Sequence, residues 1–130
     1  KLPHLERWNA RRRELAARYS RNFAGLDAVA PMKLASGAVH TYHQYTVRIR
    51  GERSRDSVLA ELARQQIFAG VHYPHPVHLQ EAAKGWGYGP GDFPNAERLA
   101  REVLCLPVHP FLSDADVDRV SEAVRRAAGV

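Results

Sequence analysis

The chain has 130 residues, a formal net charge of +5 and a single cysteine, Cys105. That length suits one domain, or part of a larger protein, able to bury roughly two-thirds of its extended surface. No apolar run approaches the ~20 residues a membrane helix needs, and a lone cysteine excludes an internal disulfide and fits a reducing, cytoplasmic setting.

The opening Lys1-Leu2-Pro3-His4 is neither a signal nor a transit peptide and reads as a chain entered midway. From Pro3 to Ala24 the pattern predicts a long helix. Leu5, Trp8, Leu15, Tyr19, Phe23 and Leu26 recur at helical spacings and make one apolar face. Pro3 fits a first turn, and Gly25 a stop. Arg7, Arg11, Arg12, Arg13, Arg18 and Arg21 surround the stripe. A basic balance permits nucleic-acid partners without demanding them, and these arginines read as a solvated helix face.

Asp27 to Gly37, broken by Pro31, reads as a loop or irregular strand. Val39 to Arg50 predicts a strand, with His43, Tyr45, Val47 and Ile49 on its inner face. After a turn at Gly51–Arg53, Ser54 is placed to cap a helix reaching Gln66, with Val58, Leu59, Leu62 and Ala63 inward and Ile67 folding back. The prolines of Tyr73-Pro74-His75-Pro76 forbid a helix and extend the backbone. A short helix over His78–Lys84 leads into a glycine-rich loop. Asp92 and Pro94 open a helix to Leu104, with Ala96, Leu99, Ala100 and Val103 inward. Cys105 to Val108 is extended. Ser113 to Asp116 resembles a capping box, and its helix buries Val117, Val120 and Val124. The fold class is α+β: a small, mostly antiparallel sheet packed by three or more helices, in one domain spanning residues 1–130.

Histidines and tyrosines cluster in two segments: His40, Tyr42, His43 and Tyr45, then His72, Tyr73, His75 and His78. Three readings are open. A metal site would need nitrogens about 2.0–2.1 Å from the ion. An extended backbone sets His72 and His78 roughly 19 Å apart, which opposes chelation by all three. One histidine could serve as general acid or base. Alternatively, the imidazoles hydrogen-bond loop backbone. No GxSxG elbow, phosphate-binding loop or dinucleotide fingerprint occurs. Cys105 reads as a small buried hydrophobe.

The order of these segments carries a resemblance. Trp8-Asn9-Ala10-Arg11-Arg12, His40-Thr41-Tyr42-His43-Gln44-Tyr45, Gly70-Val71-His72-Tyr73-Pro74-His75-Pro76-Val77-His78, Tyr88-Gly89-Pro90-Gly91-Asp92-Phe93-Pro94 and Leu104-Cys105-Leu106-Pro107-Val108-His109-Pro110 follow one another across the whole chain. In that order they resemble the C-terminal small domain of the DegT/DnrJ/EryC1/StrS sugar aminotransferases, with residues 1–26 as the helix linking it to a large domain. The resemblance implies a homodimeric, pyridoxal-phosphate-dependent enzyme moving an amino group from glutamate or glutamine onto a nucleotide-linked keto-sugar. It implies substrate contacts from His72 and Tyr73, and further ones from His75, His78, His40 and Tyr42. The family's Schiff-base lysine lies upstream of the matched segments, and Lys1, Lys33 and Lys84 stand in none of the required contexts. No catalytic, cofactor-binding or metal-binding residue is therefore expected here, and the chain alone should be inactive without its large domain. Gln66 stands where the family often ends a helix with glycine. Both histidine segments should meet in space, and the first helix should leave apolar surface exposed. The competing reading is a non-catalytic, basic binding or regulatory module.

Overall fold

A computed structural model describes residues 1–130. Its helices are α1 (Leu5–Asn22), α2 (Arg55–Arg64), α3 (Pro94–Glu102) and α4 (Asp114–Ala128), with 3₁₀ turns at Leu2–His4, Val77–Leu79 and Glu81–Trp86. Strands β1 (Val29–Pro31), β2 (Tyr45–Ile49) and β3 (Val103–Leu106) form an antiparallel sheet in the order β1-β2-β3. Val47 lies opposite Pro31 on one side and Leu104 on the other. The architecture is α+β, as the sequence predicts.

Alternation along β2 sends Tyr45, Val47 and Ile49 into the core. There they meet Leu15, Ala16, Tyr19 and Phe23 of α1, Val58 and Leu62 of α2, and Val117, Val120 and Val124 of α4 in one cluster. Thr46 and Arg48 take the opposite face. Thr46 Oγ1 lies 3.3 Å from Cys105 Sγ, and Arg48 Nε donates to Glu102 at 2.6 Å.

The chain ends its helices by local chemistry. Ser113 and Asp116 close a reciprocal capping box at the start of α4, each accepting from the other's backbone N–H. Ser54 accepts from Ser57 N–H at the start of α2. α2 ends in a Schellman motif. Ile67 N–H donates to Leu62 O, and Gln66 N–H to Ala63 O, both at 3.0 Å. Gln66 adopts the left-handed φ of 57° that this motif demands. A glutamine there carries a steric penalty of roughly 1–2 kcal/mol that a glycine would escape. Buried Ile67 and Leu62 supply the motif's apolar contact.

Several expectations are corrected. The predicted strand from Val39 starts only at Tyr45, because Tyr42 has a φ of 47° that breaks the extended run, and His43 is exposed. Pro31, read as a breaker, ends a short strand at the sheet edge, where its missing N–H goes unneeded. Ala63 and Ala96 lie on the exposed faces of α2 and α3. In α2 Val58 and Leu62 take the inner face, and in α3 Ala100 does, so Ala63 and Ala96 are turned to solvent. The helix expected over His78–Lys84 is two 3₁₀ turns parted at Gln80. Asp92 does not cap α3: its Oδ2 accepts from Gly89 N–H at 2.7 Å within the preceding loop, and Phe93 occupies the cap position.

The basic face of α1 is also more than solvated charge. Arg11 donates to Asp114 at 2.8 Å, and Arg18 donates to Asp114 and Asp118, so two arginines clamp α1 to α4. Asn22 adds a bond to Asp118 at 3.0 Å. The hydrogen bonds from Arg18 and then Asn22 hold the Asp118 carboxyl down at about 2. A carboxylate whose pKa is depressed on folding stabilises the protein above its unfolded value, and that contribution disappears as pH falls through the folded one. The stability difference between the native protein and Asp118→Asn should therefore be fully present above about pH 4 and shrink towards pH 2. Urea denaturation of both proteins across that range measures it, and a gap that ignores pH would refute the assignment.

Trp8 is half-buried between His4 and Phe111, at ring separations of 5.7 and 6.4 Å. Leu2, Leu5 and Phe111 around it stay 82%, 46% and 78% exposed, so the first helix does leave apolar surface uncovered.

Candidate substrate-binding groove

The groove begins where the chain leaves α2. After Ile67 has turned inward, Gly70 pairs with Cys105 at the edge of β3. Its N–H donates to Cys105 O at 2.9 Å, and Cys105 N–H returns a bond to Gly70 O at 2.8 Å. This bridge places the proline-rich segment beside the start of β2. His43 and Gln44 from the first histidine segment, His72 from the second, and Phe68, Pro107 and Val108 line one cavity of about 250 Å3.

Gly70 lets His72 approach closely at this point. The imidazole of His72 lies over it, and a Cβ there would stand 3.0 Å from His72 Cε1. Tyr73 meets the same imidazole edge-on at 5.6 Å and is 73% exposed. Tyr73 and His75, with Pro74, Leu79 and Gln80, line a second hollow.

His40 and Tyr42 form the outer end of an aromatic series. Tyr42 N–H donates to His40 Nδ1 at 2.9 Å, and their rings sit 4.5 Å apart. Tyr42 packs on Tyr45 at 6.1 Å, Tyr45 stacks on Tyr19 at 4.8 Å, and Tyr19 on Phe23 at 6.1 Å. The series runs from the surface into the core. Tyr45 shares a hydrogen bond with Ser20 at 2.9 Å, and burial pushes its phenol up to about 12. Burial raises Tyr19 further, and its hydroxyl donates to Pro107 O at 3.0 Å. Both phenols thus stay protonated and serve as fixed struts behind the groove.

His78 differs from the other histidines. It is buried, with Nε2 3.2 Å from Glu97 Oε1 and its ring 4.8 Å from Phe93. The same Glu97 oxygen accepts from Gly91 N–H at 2.7 Å. That bond, more than the one from His78, holds the Glu97 carboxyl below the usual carboxylate range. His78 therefore ties the proline-rich segment to the glycine-rich loop and α3. The two histidine segments do meet, through His43 and His72. The contributions of His43, Gln44 and Gly70 depend on the bridge to Cys105, which no local sequence signal announces. No three His, Cys, Asp or Glu side chains converge in a metal-binding arrangement. No helix is long and apolar enough to cross a membrane.

Solved structures that share this architecture include aminotransferases. DesV of S. venezuelae, crystallised with a ketimine intermediate, superposes with a TM-score of 0.91 and 39% identity over 99% of this chain and 34% of its own. An aminotransferase from Brucella abortus gives a TM-score of 0.86 at 32% identity, again over 99% of this chain and 33% of its own. The model of the DegT/DnrJ/EryC1/StrS aminotransferase family matches residues 1–125, and the chain belongs to that family. Among curated relatives, a dTDP-3-amino-3,4,6-trideoxy-alpha-D-glucose transaminase of Streptomyces venezuelae is 41% identical over 98% of this chain and 33% of its own length. A protein of Geobacillus stearothermophilus named a pleiotropic regulatory protein is 40% identical over 98% of this chain and 35% of its own. The chain thus spans about a third of the length of the relatives it matches.

Proposed function

We propose that residues 1–130 form the substrate-binding small domain of a pyridoxal-phosphate-dependent aminotransferase. The whole enzyme would carry an amino group from glutamate or glutamine to a nucleotide-linked keto-sugar in the cytoplasm. The observation that carries this reading is the groove joining His43 and Gln44 to His72, built on motifs in the family's order. His72 and Tyr73 project from a backbone stiffened by Pro74 and Pro76, which suits fixed hydrogen-bonding groups. Tyr73 and His75 extend the platform on one side, His40 and Tyr42 on another. His78, tied to Glu97, serves substrate by positioning that platform.

The residues present do not fit a site for the cofactor itself. Lys1, Lys33 and Lys84 are all exposed, and Lys84 pairs with Glu81 at 2.7 Å. Pyridoxal phosphate supplies the electron sink for amino transfer, and its lysine comes from outside these residues in this reading. Exposed Phe68, Trp86, Tyr88 and Phe111 would then be covered by the large domain or by a second subunit.

The test uses the full-length enzyme. His72→Ala and Tyr73→Ala should each lower kcat/KM by a few-fold to about tenfold, the cost of one neutral hydrogen bond at roughly 0.5–1.5 kcal/mol. Cofactor absorbance and melting temperature should not change. Normal kinetics in a destabilised His72→Ala protein would return His72 to the scaffold and remove the proposed role.

A further inference from the structure

At the far end of β2 from the His72 groove, roughly 20 Å along the strand, the surface is concave and strongly basic. Arg48 and Arg50 of the strand end, Arg53 and Arg55 at the start of α2, and Arg98 and Arg101 of α3 line one cavity of about 580 Å3. A cavity of that size is in the usual range for small-molecule sites, roughly 300–1,000 Å3.

Carboxylates do not balance these arginines. Glu102 accepts from Arg48 and stands 3.8 Å from Arg50, while Asp56 accepts from Arg55 at 2.6 Å. Arg98 bonds only the neutral Asn95 at 2.9 Å, and Arg53 and Arg101 make no ion pair. Arg55 is decisive, because only 7% of it is exposed. Its Nε is held by Asp56 and its Nη1 by Val103 O at 3.0 Å, so its place is fixed. Its Nη2 makes no hydrogen bond within the protein, and Arg55 is one of the residues that line this cavity. The N-terminus of α2, which begins at Ser54 in the lining of this cavity, adds the partial positive charge of a helix start.

Guanidinium groups gathered this closely repel one another until an anion sits among them. Their planar donor forks match phosphate oxygens two at a time. We propose that this cavity is a binding site for a polyphosphate anion, either inorganic polyphosphate or the phosphate chain of a nucleotide. A short hollow whose arginines converge on one fixed guanidinium favours a compact anion over an extended nucleic-acid strand. The inference is independent of the role given to His72.

The test is calorimetric titration of the intact protein with inorganic tripolyphosphate, with adenosine triphosphate and with a short single-stranded oligonucleotide. Tripolyphosphate should bind stoichiometrically, with affinity falling steeply as salt rises. Equal affinity for the triphosphate nucleotide would mean that the phosphate chain alone is read, and much tighter binding would add a base contact; both outcomes support the site. Arg98→Gln/Arg101→Gln should weaken tripolyphosphate binding by at least about tenfold without changing the melting temperature. The same charge change on α1, Arg7→Gln/Arg21→Gln, should leave the affinity unaltered. No binding of tripolyphosphate, equal weakening by both double variants, or binding of the oligonucleotide alone would each overturn the proposal.

Discussion

Tyr19→Ala is expected to cost about 3–5 kcal/mol, the largest single loss we anticipate. Tyr19 is fully buried and joins three parts of the molecule. From α1 its ring stacks on Tyr45 of β2 at 4.8 Å, and its hydroxyl reaches Pro107 O just beyond β3. Truncation leaves a cavity between rigid neighbours and strands a carbonyl. The surrounding aromatic rings of Phe23 and Tyr45 cannot close the gap without losing their own contacts. Tyr19→Phe separates the two contributions. It keeps the ring and removes only the hydrogen bond, at about 0.5–1.5 kcal/mol. Chemical denaturation of both variants measures the difference, and a Tyr19→Ala protein within about 1 kcal/mol of the native one would show that the ring packs less than the structure says.

Gly70→Val should act on the groove more than on the fold. The added Cβ meets His72 Cε1 at 3.0 Å, and a branched side chain reaches further. His72 is exposed, so its ring can swing away while the bridge to Cys105 survives. Overpacking of this kind costs typically 1–3 kcal/mol. Here that should fall on the imidazole's position, giving a loss of kcat/KM in the full-length enzyme that approaches, and does not exceed, the few-fold to about tenfold loss expected of His72→Ala. A double-mutant cycle sharpens the expectation. In a His72→Ala background there is no imidazole to displace, and most of the kinetic effect of Gly70→Val should vanish. Full additivity would mean that Gly70 acts through something other than His72.

How much of this was legible in the sequence follows the range of the interactions involved. The capping box at Ser113, the alternation of Tyr45, Val47 and Ile49, and the turning back of Ile67 rest on neighbours within a few residues, and each appears as expected. The misplaced start of β2 came from reading His43 in phase with Tyr45, although the left-handed Tyr42 interrupts the run between segments. Ala63 and Ala96 fit an apolar stripe by hydrophobicity alone, but the small methyl group tolerates either face, and Val58 and Leu62 of α2 and Ala100 of α3 take the inner positions. The groove itself needed the Gly70–Cys105 bridge, and the basic cavity needed Arg55 brought beside Arg98 and Arg101. Neither juxtaposition leaves a mark in any window of sequence. The grouping of His40, Tyr42, His72, Tyr73, His75 and His78 came from the family's motif order. In the structure His40, His72, Tyr73 and His75 are exposed, Tyr42 is half-buried against the core, and His78 is buried.

The clamp between α1 and α4 bears on how this region acquires its structure. Arg18 and Asp118 are 100 residues apart in sequence, and Arg11 and Asp114 are 103. β2 likewise waits for β3, pairing Arg48 with Val103. Contacts of such long range slow folding, because loop closure must precede any gain from them. During synthesis the inner faces of α1 and α2 therefore stay incompletely covered until α4 has been made. For that interval Leu15, Tyr19, Phe23 and Leu62 form a sticky surface on the nascent chain, which makes this region a natural client for chaperones on the ribosome.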